Sequence, residues 1–150
     1  MKVVIQRVTR ASVTIEQQLF SSIDKGMLIL VGIQADDTDE DINWLASKIV
    51  NLRIFDDEKG VMNKSIFETG GEIHPLSQLT LNARPKKSNR PTYNDAAPPA
   101  ISIPLYEKFV ATLSQELHKE VQTGQFGADM KVELINDGPV TIIVDSKNRQ

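Results

Sequence analysis

The chain has no cysteine, two histidines and one tryptophan among its 150 residues, and no long apolar run. Without cysteine it forms no disulfide, offers no thiolate nucleophile and holds no thiolate-bound zinc, which agrees with a reducing compartment. His74 and His118 lie far apart and outside any HExxH spacing, and no acid-rich EF-hand loop occurs, so neither a protein metal site nor a cofactor is expected. The phosphate cradles GxxxxGKS/T and GxGxxG and the nucleophile elbow GxSxG are missing as well. Nothing reaches the roughly 18 consecutive apolar residues of a membrane span. The opening MKVVIQRVTRASVTIE alternates polar with apolar residues instead of setting a basic stretch before an apolar core, so no signal peptide is expected and the cytoplasm is the expected location. Basic residues are in the minority, 17 Lys+Arg against 20 Asp+Glu for a net charge of −3. That balance argues against a protein that grips nucleic acid over its whole surface and leaves room for a local patch.

What is present is the composition of an ordinary folded domain, with 40% hydrophobic and 25% charged residues. A chain of this length removes about two-thirds of its unfolded surface from water, so a single domain spanning residues 1–150 needs no staple. Val4, Gln6 and Val8, then Val13 and Ile15, follow the period of two of half-buried strands, with Thr9-Arg10-Ala11 as a turn that makes the opening a hairpin. Residues 27–33 are nearly all apolar, the pattern of a strand covered on both faces. Thr38 followed by Asp39, Glu40 and Asp41 sets an N-cap and acids at a positive helix end, and Ile42, Leu45, Ile49 and Leu52 carry a helix over about 39–53.

Residues 56–71 read as a turn-rich connection with one short strand. Residues 72–82 read as extended, with Pro75 placing Ile73-His74 at an edge or bulge. The proline-rich stretch 84–104 reads as a long surface loop, of the kind that is functional or disordered. Leu105, Phe109, Leu113, Leu117 and Val121 recur every four residues and predict a second helix ending near 122, with Gly124 as its cap. Val132 and Leu134, then Val140, Ile142 and Val144, alternate around Asn136-Asp137-Gly138 as two closing strands. The order ββ-βα-ββ-α-ββ predicts an α/β fold of mixed β-sheets with two main helices, not a doubly wound one.

Three polar segments stand out against this pattern. Arg84, Lys86, Lys87 and Arg90 set four cations within seven residues with no acid between them, either a solvated loop or a contact for nucleic-acid phosphates. In Ser77-Gln78-Leu79-Thr80 an extended backbone puts Gln78 and Thr80 on one face and Ser77 on the other. A polar face toward solvent and a hydrogen-bonded buried pair both fit; the second is a candidate site, since burying Gln and Thr unpaired is costly. Asn136-Asp137-Gly138-Pro139-Val140-Thr141 joins a glycine free of Cβ to a proline whose preceding bond can be cis, either an ordinary hairpin turn or a built feature. His118, among Glu116, Lys119 and Glu120, reads as solvent-facing and His74 as structural, so a serine triad is not supported.

Ser77-Gln78-Leu79-Thr80-Leu81 resembles the SQxTL signature, and Asn136-Asp137-Gly138-Pro139-Val140-Thr141 the NxGPVT signature, of the D-aminoacyl-tRNA deacylases, in the family's order and spacing. The likeness covers essentially the whole chain, through Val4-Ile5-Gln6-Arg7-Val8, Asn89-Arg90-Pro91, Ala96-Ala97-Pro98-Pro99 and Phe126-Gly127-Ala128-Asp129-Met130. It implies a compact three-layer α/β/β fold with both helices on one side, and a homodimer with its active site at the interface. It implies hydrolysis of the ester of D-aminoacyl-tRNA, and of mischarged glycyl-tRNA, as proofreading that spares L-aminoacyl esters. No cofactor, membrane or DNA partner is implied.

By the same likeness Ser77, Gln78 and Thr80 surround the scissile carbonyl, and the Gln78 and Thr80 main-chain amides stabilise the oxyanion. The substrate's terminal ribose 2′-OH assists the attack; Thr80 positions instead of attacking, because no base is evident nearby to activate it. Gly138-Pro139, with a cis bond, enters the partner's pocket as a main-chain wall that excludes L side chains. Phe126 and Met130 line the pocket of the terminal adenosine, Arg7 fixes the Gly-Pro motif, and Lys86, Lys87 and Arg90 meet tRNA phosphates. The sequence departs from the family pattern at Leu79, usually phenylalanine, at Ser88, often glycine, and at His74-Pro75 in a typically apolar strand. Leu79 is expected to keep the burial with less ring area. The alternative reading is a non-catalytic nucleic-acid-binding module of the same fold, against which the acidic balance and the two intact signatures speak.

Overall fold

The computed structural model describes residues 1–85 and 89–149. Three strands open the chain, β1 (Lys2–Ile15), β2 (Gln18–Ile23) and β3 (Gly26–Gly32), followed by helix α1 (Asp39–Asn51). A small ribbon, β4 (Phe55–Asp56) with β5 (Met62–Lys64), and a one-turn helix α2 (Ile66–Thr69) lead to β6 (Glu72–Ser77). A 3₁₀ turn (Leu79–Asn82), helix α3 (Pro99–Leu117) and β7 (Met130–Asp145) complete it.

The long strand β1 organises the sheet. On one edge β2 and then β3 run antiparallel along it, and on the other β7 follows it from Ile15 back to Lys2. β3 pairs in parallel with β6, giving the order β2-β1-β3-β6 with β7 beside β1. Helices α1 and α3 press Ile42, Leu45, Ile49, Phe109 and Leu113 onto one face, against Ile5, Ile29 and Ile73. Leu28, alternating to the opposite face, joins Val8, Ala11, Val13, Ile23 and Leu76 in a second cluster inside the curl of the sheet. β3 is therefore apolar on both sides because both sides are covered. Each fully buried Leu or Ile contributes about 1.5–3 kcal/mol, so these clusters hold the layers together without any cross-link.

The expected α/β class, strand β3 and helix α1 are present. The Thr38 main-chain N–H donates to Asp41 Oδ2 at 2.9 Å, half of the capping arrangement the acids imply. Five expectations are corrected. Thr9-Arg10-Ala11 is no turn: β1 runs through it, its register against β7 shifting at Val8 and Arg10, and the reversal falls at Glu16 and Gln17, both with positive φ. The extended stretch stops at Ser77, where the chain winds into the 3₁₀ turn.

The proline-rich segment is shorter than expected, because Pro98 is the N-cap of α3 and Pro99 its first residue, where a missing N–H costs nothing; Pro104 then gives up one bond without ending the helix. That helix stops at Leu117, with His118 in the left-handed conformation as its cap, so Gly124 is not the cap. Finally, the two closing strands are the single strand β7.

Candidate active site

Strand β6 ends against β3, and the bonds at its end shape the turn beyond it. The Gln78 main-chain N–H donates to Val31 O at 2.7 Å, the last rung beside the parallel pair, and the turn then closes through Leu81 N–H to Gln78 O at 3.3 Å and Ala83 N–H to Thr80 O at 3.1 Å. Gly32 allows this close approach, since a Cβ there would lie 2.9 Å from Leu81 Cβ. Buried Asn82 anchors the turn from below, its Nδ2 donating to Ile33 O at 3.1 Å.

Gln78 and Thr80 thus meet across a turn, not along one face of a strand, and Gln78 Nε2 donates to Thr80 Oγ1 at 2.5 Å. Of the two main-chain amides expected to hold an oxyanion, that of Gln78 is committed to Val31 O. The Thr80 amide stands in the first turn of the 3₁₀ segment, where helical bonding leaves N–H groups unused, and has no main-chain acceptor outside that segment among the described residues. Leu79 points outward, 54% exposed, so it does not keep the burial expected of it.

Ser77, Gln78 and Thr80 form one wall of a cavity of about 520 Å³; Phe126, Asp129 and Met130 form the facing wall. A cavity of this volume lies within the range of small-ligand sites. Phe126 leans on Tyr106 with ring centroids 6.1 Å apart. The Tyr106 hydroxyl donates to Pro75 O at 2.7 Å, and burial pushes it up to about 12, so it stays a neutral donor. Among the described residues no histidine or lysine lines this cavity, and no three His, Asp or Glu side chains group as a metal site would require. What the walls offer an ester is hydroxyls, a carboxamide and a main-chain N–H, which can orient it and stabilise developing negative charge.

The other signature lies elsewhere. In the β1–β7 register Val8 faces Asn136 and Gln6 faces Thr141, so residues 137–140 all stand opposite Arg7 alone and bulge from the sheet. The Gly138-Pro139 bond in this bulge is cis; both residues are exposed, and neither lines the cavity of Ser77 and Phe126. Arg7, itself buried, braces the bulge: Nε donates to Asp137 O at 2.9 Å and Nη1 to Ile54 O at 2.7 Å, with the Asp137 and Asp56 carboxylates 3.3 and 3.4 Å away. Asn136 Nδ2 donates to both Arg7 O at 3.0 Å and Val140 O at 3.1 Å, stapling the bulge at its base. Sequence reasoning passed over the bracing roles of Asn136 and Asn82; an asparagine opening a Gly-Pro bulge was the signal for the first, while the second had none.

The basic segment is only partly in view. Lys86, Lys87 and Ser88 lie outside the described residues. Arg84 and Thr92 exchange main-chain hydrogen bonds at the base of the loop, and the Arg84 guanidinium is bonded to Asp95, so its charge already has an anion. Arg90 is exposed.

A family model described as D-Tyr-tRNA(Tyr) deacylase matches residues 4–145. The D-aminoacyl-tRNA deacylase of Bacteroides thetaiotaomicron is 67% identical over 150 residues, and that of Flavobacterium psychrophilum 63%, each alignment covering 100% of both chains. Among solved structures, one described as c-Myc DNA Unwinding Element Binding Protein has a TM-score of 0.92 at 39% identity, covering 97% of this chain and 98% of its own. Another, described as a probable eukaryotic D-amino acid tRNA deacylase, has a TM-score of 0.83 at 14% identity over 95% of this chain and 97% of its own, and shares the fold. A match of this extent, which spans both signatures, places the chain in the D-Tyr-tRNA(Tyr) deacylase family, whose curated members are hydrolases.

Proposed function

We propose that this protein hydrolyses the ester linking a D-amino acid to the terminal ribose of tRNA, releasing the free D-amino acid and tRNA. The observation that carries the reading is the cavity where the Ser77-Gln78-Leu79-Thr80 turn faces Phe126 and Met130. The terminal adenine stacks on Phe126 beside Met130, as unpaired bases commonly do on aromatic rings. The ester carbonyl then lies against the turn, where the Thr80 amide stabilises the oxyanion while Ser77 and the Gln78 side chain orient it. Water adds to the carbonyl carbon with help from the neighbouring ribose 2′-OH, the ester C–O bond breaks, and the ribose oxygen leaves with a proton. Thr80 acts by position, consistent with the absence of a histidine or lysine base among the described lining residues.

The protein acts as a homodimer. Support comes from β7, a sheet edge 16 residues long whose Val132, Ile135 and Ile143 are exposed, a surface that monomers seldom leave open. Gly138 and Pro139, braced by Arg7 on the same edge, enter the partner's cavity and present main-chain atoms to the chiral carbon. An L side chain clashes there; hydrogen or a D side chain does not, so glycyl-tRNA is cleaved too and the activity is proofreading. Arg90, with Lys86 and Lys87, meets tRNA phosphates, and the reaction takes place in the cytoplasm beside translation.

The test is hydrolysis of D-tyrosyl-tRNA and L-tyrosyl-tRNA in parallel by the purified protein with chelator present. Loss of the D ester with the L ester spared is expected. A second reading, non-catalytic nucleic-acid binding, draws on the description of the 39% identical solved chain. Survival of both esters together with salt-sensitive binding of single-stranded DNA would favour it.

A further inference from the structure

Ser21 on β2 and His74 on β6 lie outside the cavity and join three separate parts of the chain. The Ser21 hydroxyl donates to Thr123 O at 2.6 Å, and the same oxygen lies 2.8 Å from His74 Nε2. A hydroxyl has one proton; with that proton on Thr123, the ring must donate through Nε2–H. This tautomer leaves Nδ1 as a bare lone pair, and Nδ1 is indeed buried without a partner among the described residues, in a side chain fully shielded from water. Among the described residues no carboxylate bonds the ring, so the pair is not built to activate a serine nucleophile. Burying an imidazole with one nitrogen unpaired is unfavourable, and a leucine would fill β6 without that penalty. What the imidazole adds is the donor that fixes the Ser21 hydroxyl on Thr123.

The parts so joined are the two walls of the cavity. His74 precedes Ser77 by three residues on β6, and Thr123 precedes Phe126 by three. Between the end of α3 and the start of β7 the chain belongs to no helix or strand, and among the described residues no main-chain hydrogen bond ties it to β6. It lies close against β6: a Cβ on Gly124 would be 2.9 Å from Leu76 Cδ2 and 2.5 Å from Met130 Sδ. We propose that Ser21 and His74 are positioning residues of the active site, holding residues 123–130 against β6 and so setting the separation between the Ser77-Gln78-Thr80 wall and the Phe126-Met130 wall. The proposal rests on that cavity being the substrate site.

The test compares Ser21→Ala with Ser21→Thr in the intact protein, by hydrogen exchange at amides 124–130 and by kcat and KM on D-tyrosyl-tRNA. Ser21→Ala leaves the Thr123 carbonyl and the His74 donor unpaired. Exchange of those amides about tenfold faster and a KM about tenfold higher, with kcat within about twofold, are expected. Ser21→Thr, which keeps the hydroxyl, restores both. Ile49→Val, a core change in α1 remote from the cavity, serves as the control for general destabilisation and should leave KM unchanged. Unchanged exchange at 124–130 in Ser21→Ala, or an equal rise in KM from Ile49→Val, would overturn the proposal. If the unaltered protein does not cleave D-tyrosyl-tRNA, the functional reading falls, and the exchange result still decides whether the junction holds the segment.

Discussion

Replacing Arg7 by alanine removes the brace of the Gly138-Pro139 bulge, and the structure allows its effect to be sized. The guanidinium makes two hydrogen bonds to main-chain carbonyls, Asp137 O at 2.9 Å and Ile54 O at 2.7 Å, and two longer contacts to carboxylates. The carboxylates of Asp56 and Asp137 are half exposed, at 51% and 50%, so their ion pairs are screened and contribute about 0–1 kcal/mol each. The carbonyl bonds come from a charged donor that is 9% exposed and contribute about 1.5–3 kcal/mol each, less when counted together. Arg7→Ala should therefore destabilise the fold by about 3–4 kcal/mol in urea unfolding, whereas Asp56→Asn and Asp137→Asn should each change it by less than about 1 kcal/mol. Arg7→Lys keeps the charge but cannot reach both carbonyls, and should fall between. In the esterase assay Arg7→Ala, with the bulge held only by the Asn136 staple, should narrow the preference for D- over L-tyrosyl-tRNA. A loss of stability below about 1 kcal/mol, or one matched by Asp137→Asn, would refute the ranking of carbonyl bonds above ion pairs.

Gly138→Ala sets a Cβ 2.3 Å from Asn136 Oδ1 and 2.8 Å from Val140 N, so the Asn136 side chain must leave its staple; about 1–3 kcal/mol of stability and at least tenfold in kcat/KM should be lost, and unaltered kinetics would remove the bulge from the reaction. Thr80→Ala keeps the main-chain amide and should lower kcat by no more than about tenfold; a fall on the order of 10⁴ would instead make its hydroxyl the nucleophile. Burial holds the His74 pKa below its ordinary 6.5, against weaker opposing effects of the nearby Thr123 carbonyl and of Glu72. The unfolded chain therefore takes up this proton first as pH falls: the stability from neutral His74 is whole above 6.5 and declines below it, toward the lower folded value. Urea midpoints at about pH 7.5 and about pH 5.5 should differ in that sense, and His74→Gln should lose that part of the difference; a variant with the same pH dependence as the unaltered protein would contradict the assignment.

Local order in the amino-acid sequence accounts for β3 and α1, because each is specified by its own residues: a continuous apolar run, and a capped period of three to four. The same local order suggests a turn at Thr9-Arg10-Ala11 and a split β7, because a bulge interrupts the period of two just as a turn would. Only the pairing of β1 with β7 along their whole length tells the two apart. It also extends residues 78–82 as a strand, since Leu79 and Leu81 alternate with polar neighbours, and the bond from Gln78 N–H to Val31 O, a contact between distant residues, decides where the strand stops. The two polar motifs were legible as short strings, and through them the family. Their arrangement was not: that Ser77, Gln78 and Thr80 line one cavity with Phe126 and Met130 follows from contacts between distant segments, and that Gly138 and Pro139 bulge from β7, braced by Arg7, follows from sheet register. Register is set by burial and hydrogen bonding between segments far apart in the chain, which no local pattern of residues encodes.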